Sequence, residues 1–318
     1  MAHIAIVTPA GAGARNGNRH TAQRWAGFLR AQGHRVSVMV QWDGKPCELL
    51  LALHARRSHA SVAKYRKEYP DKPLIVTLTG TDLYKDLPDS REARESLRLA
   101  DRVVVLQEDA LRLLDISTKK KAWIVYQSAQ PPIRHAPPKA PFRVAVVGHL
   151  RDVKDPFRAA LALPHLKYDV QVVQVGDALT PAMKSKAHSF AERDRRYRWI
   201  GGRTHAQTLG WIARSHLLVV SSIMEGGANV ISEAARIGTP VLASRVSGNV
   251  GMLGRGYPGY FPVGDGKALA RLIEKCMQDA EFMHALKRAL AARRVLFAPA
   301  AERAAIGQVV RKALRGGA

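Results

Sequence analysis

Glu225 and Glu233, separated by seven residues, lie within Ser222-Ile223-Met224-Glu225-Gly226-Gly227-Ala228-Asn229-Val230-Ile231-Ser232-Glu233-Ala234. Glu225 falls in a loop. Gly226, Gly227, Ala228, Asn229 and Val230 lead from it into a helix that ends near Gly238-Thr239-Pro240. The first turn of a helix carries backbone N–H groups with no intrahelical partner and a partial positive charge, which suits a diphosphate. Glu233, read as two turns into that helix, can accept hydrogen bonds from both hydroxyls of a ribose. Glu225 can hold sugar hydroxyls near a reacting carbon. Two solvent-facing glutamates on one helix is the plainer reading, but it leaves the Gly-Gly before an apolar run unexplained.

A second group is Val147-Gly148-His149-Leu150-Arg151-Asp152-Val153-Lys154. Gly148 lets the chain turn sharply, with His149 directly after it. Arg151 and Lys154, three apart, can converge on one diphosphate, whose charge must be held as the bond to a leaving group breaks. Surface salt bridging is the alternative. A third group lies in residues 8–19. There Gly11, Gly13 and Gly17 let backbone N–H groups approach a phosphate at a helix start. Arg15 and Arg19 add charge-assisted hydrogen bonds, with Asn16 and Asn18 beside them. The glycine spacing misses G-x-G-x-x-G, which disfavours a nicotinamide dinucleotide, and a flexible strand-to-helix turn is the bland reading. A fourth group is Thr79-Gly80-Thr81-Asp82, where Asp82 either orients an acceptor or takes a proton, or merely caps a turn. Arg245 is a further cation on a loop. The sequence has no Asp-x-Asp motif, P-loop, His-Glu-x-x-His or Gly-x-Ser-x-Gly, and its 12 histidines show no ligand spacing. No metal is therefore expected. His54 and His149 are set apart from the other histidines only by where they sit.

Elements must bring these loops together. Apolar runs at residues 4–7, 36–40, 49–53, 74–78, 103–106 and 123–125 read as buried parallel strands, alternating with helical segments such as residues 21–32, stopped by Gly33. Residues 130–141 carry five prolines and cannot continue a helix or a central strand. A second series of strands follows at residues 142–147, 170–175, 217–220 and 240–243, and residues 267–314 read as helical. The pattern predicts an α/β chain of two Rossmann-like doubly wound domains facing a cleft, their strands' carboxyl ends turned toward it. The expected divisions are 1–130, a Pro-rich linker 131–141, 142–298, and a helix at 299–318 returning to the first domain.

Composition fits this reading. The 318 residues suffice for two cores, and 50 Lys+Arg against 26 Asp+Glu leave a net charge of +24 that attracts anions of any kind. Aromatic residues are few and the charge is dispersed, which disfavours a nucleic-acid-binding protein. Two distant cysteines, Cys47 and Cys276, indicate neither a disulfide framework nor a metal site. No stretch reaches the roughly 18 apolar residues of a membrane span. The start lacks the features of a secretory signal, so a cytoplasmic protein is expected.

The second half resembles GT-B-fold glycosyltransferases with a Glu-x7-Glu motif. Glu225 and Glu233 match the two glutamates, Lys154 matches the donor-phosphate lysine, and the first glycine loop and Gly80-Thr81-Asp82 also fit. The resemblance implies a UDP-sugar donor and catalysis without a metal. It departs at His149, where that family has an arginine, with Arg151 as the nearest substitute. A closer resemblance spans nearly the whole chain. Asn16-Gly17-Asn18-Arg19-His20-Thr21-Ala22-Gln23-Arg24-Trp25, the string from Met224 to Glu233, Ser247-Gly248-Asn249-Val250-Gly251-Met252-Leu253-Gly254 and Tyr257-Pro258-Gly259-Tyr260-Phe261 are similar to the selenosugar synthases of selenoneine biosynthesis.

That resemblance implies UDP-N-acetylglucosamine (UDP-GlcNAc) or UDP-glucose as donor and selenophosphate as acceptor, with no cofactor. It also implies functional coupling to a selenophosphate synthetase and to a downstream C–Se bond-forming enzyme. Selenium would attack the anomeric carbon and release UDP. Glu225, Lys154, Arg151 and Asp82 would then be catalytic. Donor contacts would fall to His149, Arg151, Lys154, the stretch from Glu225 to Val230, Glu233 and Gly13. Acceptor contacts would fall to Arg15, Asn16, Asn18, Arg19, Thr79, Gly80, Thr81, Asp82 and Arg245. A glycosyltransferase acting on a sugar, lipid or phosphorylated alcohol is the competing expectation. Residues 65–69, Tyr-Arg-Lys-Glu-Tyr, are no more than a weak candidate surface for a lipid acceptor.

Overall fold

The computed structural model describes residues 1–11, 13, 17–130 and 135–316. Arg15 and Asn16, and residues 131–134 of the Pro-rich stretch, lie outside them. The chain divides into two compact units, Met1–Gln127 with Pro299–Ala318, and Ser128–Ala298.

In the first unit six strands form one parallel sheet. They are β1 (His3–Val7), β2 (Arg35–Met39), β3 (Leu49–Leu53), β4 (Leu74–Leu78), β5 (Arg102–Val105) and β6 (Ala122–Ile124), in the order β2-β1-β3-β4-β5-β6. Side chains alternate across a strand, so each central strand feeds two cores. Ile4 and Ile6 of β1, with Leu49, Leu51 and Leu53 of β3, join Trp25 and Leu29 on one face. Ala5 and Val7, with Leu50 and Ala52, join Trp42 and Tyr65 on the other. This is why these strands read as unbroken apolar runs rather than alternating ones. Tyr65 is fully buried, so it offers no ring to a lipid surface. Cys47 is buried, and desolvation pushes its thiol pKa up.

Helix Gly17–Arg30 starts four residues before the expected Thr21. Gly33, at φ 87°, closes its carboxyl end with an N–H bond to the Arg30 carbonyl. Helix Pro299–Leu314 packs Ile306, Val309, Val310 and Ala313 onto the same face of the sheet as Trp25. Its Glu302 is buried. It accepts the indole N–H of Trp25 at 2.7 Å and pairs with Arg24 at 2.8 Å. Glu302→Ala would leave the Trp25 N–H buried without an acceptor. The expected result is a loss of about 2 kcal/mol of stability in urea unfolding. A change within about 0.5 kcal/mol, the range of an ordinary surface substitution, would show that the pair carries no stability.

The second unit holds β7 (Phe142–Val147), β8 (Val170–Val175), β9 (Tyr197–Trp199), β10 (Leu217–Val220), β11 (Val241–Ser244) and β12 (Tyr260–Phe261). Their order is β12-β11-β10-β7-β8-β9, all parallel. This is the doubly wound Rossmann arrangement, whose strand order reverses between β7 and β10. The α/β class read from the sequence holds in both units. The strands β9 and β12 were not foreseen. Residues 267–314 form three α-helices, Gly266–Gln278, Ala280–Arg293 and Pro299–Leu314, with a 3-10 helix at Arg294–Phe297 before the last. Asp279 breaks the first from the second by capping Phe282 N, and the last begins at Pro299.

Candidate active site

Ligands of doubly wound sheets bind beyond the carboxyl ends of the strands, where the order reverses. In the second unit that point lies beyond β7 and β10, and a cavity there is lined by Gly148, Lys154, Gln174, Ser222, Glu225 and Val230 among others. Glu225 sits in the loop after β10, only 8% exposed. Its Oε1 accepts the Ser222 hydroxyl at 2.6 Å and is paired with the Lys154 ammonium. Lys154 ends the short turn Asp152–Lys154 after β7. The two loops are laced together. Ser221 Oγ donates to the carbonyls of Lys154 (3.2 Å) and Asp155 (2.8 Å), and Ile223 N to that of Val153 (2.9 Å). The lysine and the glutamate, 71 positions apart, therefore share one charged centre.

Glycines set the closeness of this packing at two places. Gly148 has φ 146°, and a Cβ on its neighbour Gly176 would overlap the Gly148 carbonyl. A Cβ on Gly248, in helix Ser247–Leu253, would overlap the Glu225 carbonyl and lie 2.7 Å from the Glu225 Cβ. Beneath them Ser244 Oγ donates to the Ser222 carbonyl at 2.5 Å, and Asn249 Nδ2 donates to the Ser244 carbonyl at 2.9 Å.

Helix Asn229–Ile237 follows the Gly226-Gly227 turn and ends at Gly238, in the left-handed region at φ 96°. Its N-cap, Ala228, offers no side-chain acceptor, so the amides of its first turn are not capped by a side chain. The Asn229 Oδ1 and the His149 Nδ1 are buried with no hydrogen-bond partner among the described residues. Orphaned polar atoms of this kind ask for a ligand or water. Glu233 stands one turn into the helix, not two. Its Oε1 lies 2.9 Å from His205 Nε2. Arg151 and Arg245 are exposed, Arg245 lying over the Tyr260 ring at 5.2 Å. Ser222, Gly248 and His205 join the site without a functional signal of their own in the sequence.

In the first unit, Gly13 is exposed, and Asn18 and Arg19 are half-buried in the first turn of helix Gly17–Arg30. The role expected of Asp82 needs correction. Its side chain is fully buried, and its carboxylate accepts the backbone N–H groups of Thr79 (2.9 Å), Gly80 (2.8 Å) and Ala55 (3.0 Å). Nothing of it is left to touch a substrate, so it fixes the loop rather than taking a proton. Gly80 is buried at φ 143° and Thr79 is half-buried, whereas Thr81 is exposed. Asp82–Asp86 forms a π-helical turn, a form often found at functional sites.

His54, at φ 74° after β3, is buried beside this loop. Its Nε2 lies 3.1 Å from Thr81 Oγ1, and Asp82 and Asp86 carboxylates lie 3.9 and 3.8 Å from its ring nitrogens. Burial lowers the His54 pKa, outweighing the opposing pull of Asp82, and Arg57 lowers it further. A histidine held below its unfolded pKa binds fewer protons when folded. Its stability is therefore complete above about pH 6.5 and is lost as pH falls below that value. The melting temperature is expected to fall more steeply between pH 7.5 and 5 in the wild type than in His54→Asn, asparagine also tolerating positive φ. Equal slopes would mean that another group titrates.

A family model described as "Glycosyl transferases group 1" matches residues 131–293, more than half of the chain. The chain belongs to this family. No curated protein sequence matches it significantly. Among solved structures, the HepE protein of Anabaena in complex with UDP-glucose is 16% identical, with a TM-score of 0.76, over 98% of this chain and 100% of that one. Sucrose-phosphate synthase from Thermosynechococcus elongatus is 18% identical, with a TM-score of 0.78, over 98% and 99%. A glycosyltransferase from Rickettsia africae is 14% identical, with a TM-score of 0.74, over 99% of each chain. At these identities the likeness is one of fold. The glycosyltransferase thus has two parallel six-stranded sheets and a C-terminal helix of GT-B-like kind. Among its described residues no helix is long and apolar enough to cross a membrane.

Proposed function

We propose that this glycosyltransferase takes a UDP-sugar, UDP-GlcNAc or UDP-glucose, and transfers the sugar to selenophosphate. One observation carries the donor half. An uncapped helix start, a lysine and a nine-tenths-buried glutamate meet at the strand-order reversal of the second sheet. On this reading the first turn of helix Asn229–Ile237 and Lys154 hold the diphosphate, and the orphaned His149 Nδ1 and Asn229 Oδ1 find their partners on the donor. Glu225 orients sugar hydroxyls and Glu233 the ribose. The UDP-glucose bound by the HepE protein supports the same class of donor.

The acceptor half rests on the resemblance of strings in this sequence, residues 16–25 and 224–233 among them, to selenosugar synthases. The selenium of selenophosphate attacks the anomeric carbon, a C–Se bond forms, and the C–O bond to UDP breaks with its electron pair leaving on the diphosphate. Water then cleaves the Se–P bond to give the 1-seleno-sugar and phosphate. Selenium carries no proton to be removed, so positioning and charge suffice where Asp82 cannot serve as a base. No metal or cofactor enters the scheme.

The test is anaerobic incubation with UDP-GlcNAc or UDP-glucose, with and without selenophosphate, following UDP release and the selenium isotope pattern by mass spectrometry. Selenophosphate-dependent UDP release with a seleno-sugar product is the expected result. UDP-sugar binding without selenium transfer would remove selenophosphate and favour a sugar, lipid or phosphorylated alcohol.

A further inference from the structure

His205 is the first residue of helix His205–Ala213, and its backbone is held from both sides. Thr204 Oγ1 accepts the Gln207 N–H at 3.3 Å, and Gln207 Oε1 accepts the Thr204 N–H at 3.1 Å, a reciprocal capping box. From that fixed start the imidazole reaches helix Asn229–Ile237, with Nε2 2.9 Å from Glu233 Oε1. The Glu233 side chain is 13% exposed, the histidine 64%. The glutamate is thus the enclosed member of the pair, and the histidine is its outer restraint.

We infer that His205 is a positioning residue. It holds the Glu233 carboxylate ready for the two hydroxyls of a ribose, and so makes the site prefer a ribonucleoside diphosphate over its 2′-deoxy form. This rests on the UDP-sugar reading above. A glutamate has three rotatable bonds, and freezing them on binding opposes association. The imidazole freezes them beforehand. Each carboxylate oxygen has two lone pairs, so Oε1 keeps His205 and accepts one hydroxyl while Oε2 accepts the other. A site built to hydrogen-bond a hydroxyl rejects the analogue that lacks it, because its enclosed acceptor is then left unpaired.

The experiment is calorimetric titration with UDP and with 2′-deoxy-UDP of the wild type, His205→Ala, His205→Gln, Glu233→Ala and the His205→Ala/Glu233→Ala double variant. His205→Ala is expected to weaken UDP by roughly 5-fold and 2′-deoxy-UDP by much less. The ratio of the two affinities then falls toward that of Glu233→Ala. His205→Gln, which keeps an N–H donor of similar reach, recovers most of the ratio. The double variant matches Glu233→Ala alone, because the histidine acts only through the glutamate. A merely structural role would lower stability without moving the ratio. Unchanged ratios in His205→Ala, or losses that add in the double variant, overturn the inference and leave the donor reading standing. A wild type that binds neither nucleotide overturns both.

Discussion

Lys154→Ala is expected to lower turnover by roughly 100-fold or more at saturating donor, the usual loss when one charged contact to a leaving group is removed. Lys154 is the ammonium that the structure places against Glu225, in the turn after β7, with 26% of its side chain exposed. On the proposed scheme it neutralises the diphosphate as the C–O bond breaks, where no proton transfer assists. Its removal has a second consequence. Glu225 is 8% exposed and would keep only the Ser222 hydroxyl on Oε1. An under-compensated carboxylate would then face an incoming diphosphate, so donor KM should rise as well. UDP release measured across donor concentrations separates the two effects. Turnover within a few-fold of wild type would mean that Arg151 or His149 holds the leaving group.

The second large effect is expected from a residue with no functional side chain. In Gly248→Ala the added methyl meets the backbone of Glu225, which cannot rotate away as a flexible side chain would. Overpacking of this kind costs about 1–3 kcal/mol. Here the displacement falls on Glu225, and a misplacement of about 1 Å lowers rates by roughly 100-fold. Activity should therefore fall further than stability. Gly256→Ala is the control, since a Cβ there meets nothing within 4 Å. Wild-type kcat/KM in Gly248→Ala would show that the reaction tolerates a displaced Glu225.

The sheets were legible because parallel strands buried on both faces are nearly pure Val, Leu, Ile and Ala. Leu49–Leu53 and Leu74–Leu78 are buried at every position. β9 and β12 were not legible, being only three and two residues long, one of them centred on an exposed arginine. The Glu225 loop and its glycines could be read because they are contiguous. Their supports could not. His205 lies 28 positions from Glu233, and Gly248 meets Glu225 only because helix Ser247–Leu253 packs onto the preceding loop. Asp82 misled because an aspartate after a strand looks the same in sequence whether it faces a ligand or ties down its own loop. Only its three backbone partners decide.

The division of the chain has a consequence for its synthesis. The second unit is one continuous stretch, Ser128–Ala298, and the ribosome delivers all of it before the first unit is complete. The first unit awaits Pro299–Leu314, with the residues that cover one sheet face and the acceptor for the Trp25 indole. Nascent chains ordinarily mature from the amino terminus, domain by domain. Here the order of completion is reversed, and the earliest strands wait longest with apolar surface uncovered. A chain released before Pro299 would carry a finished second unit and a first unit unable to close.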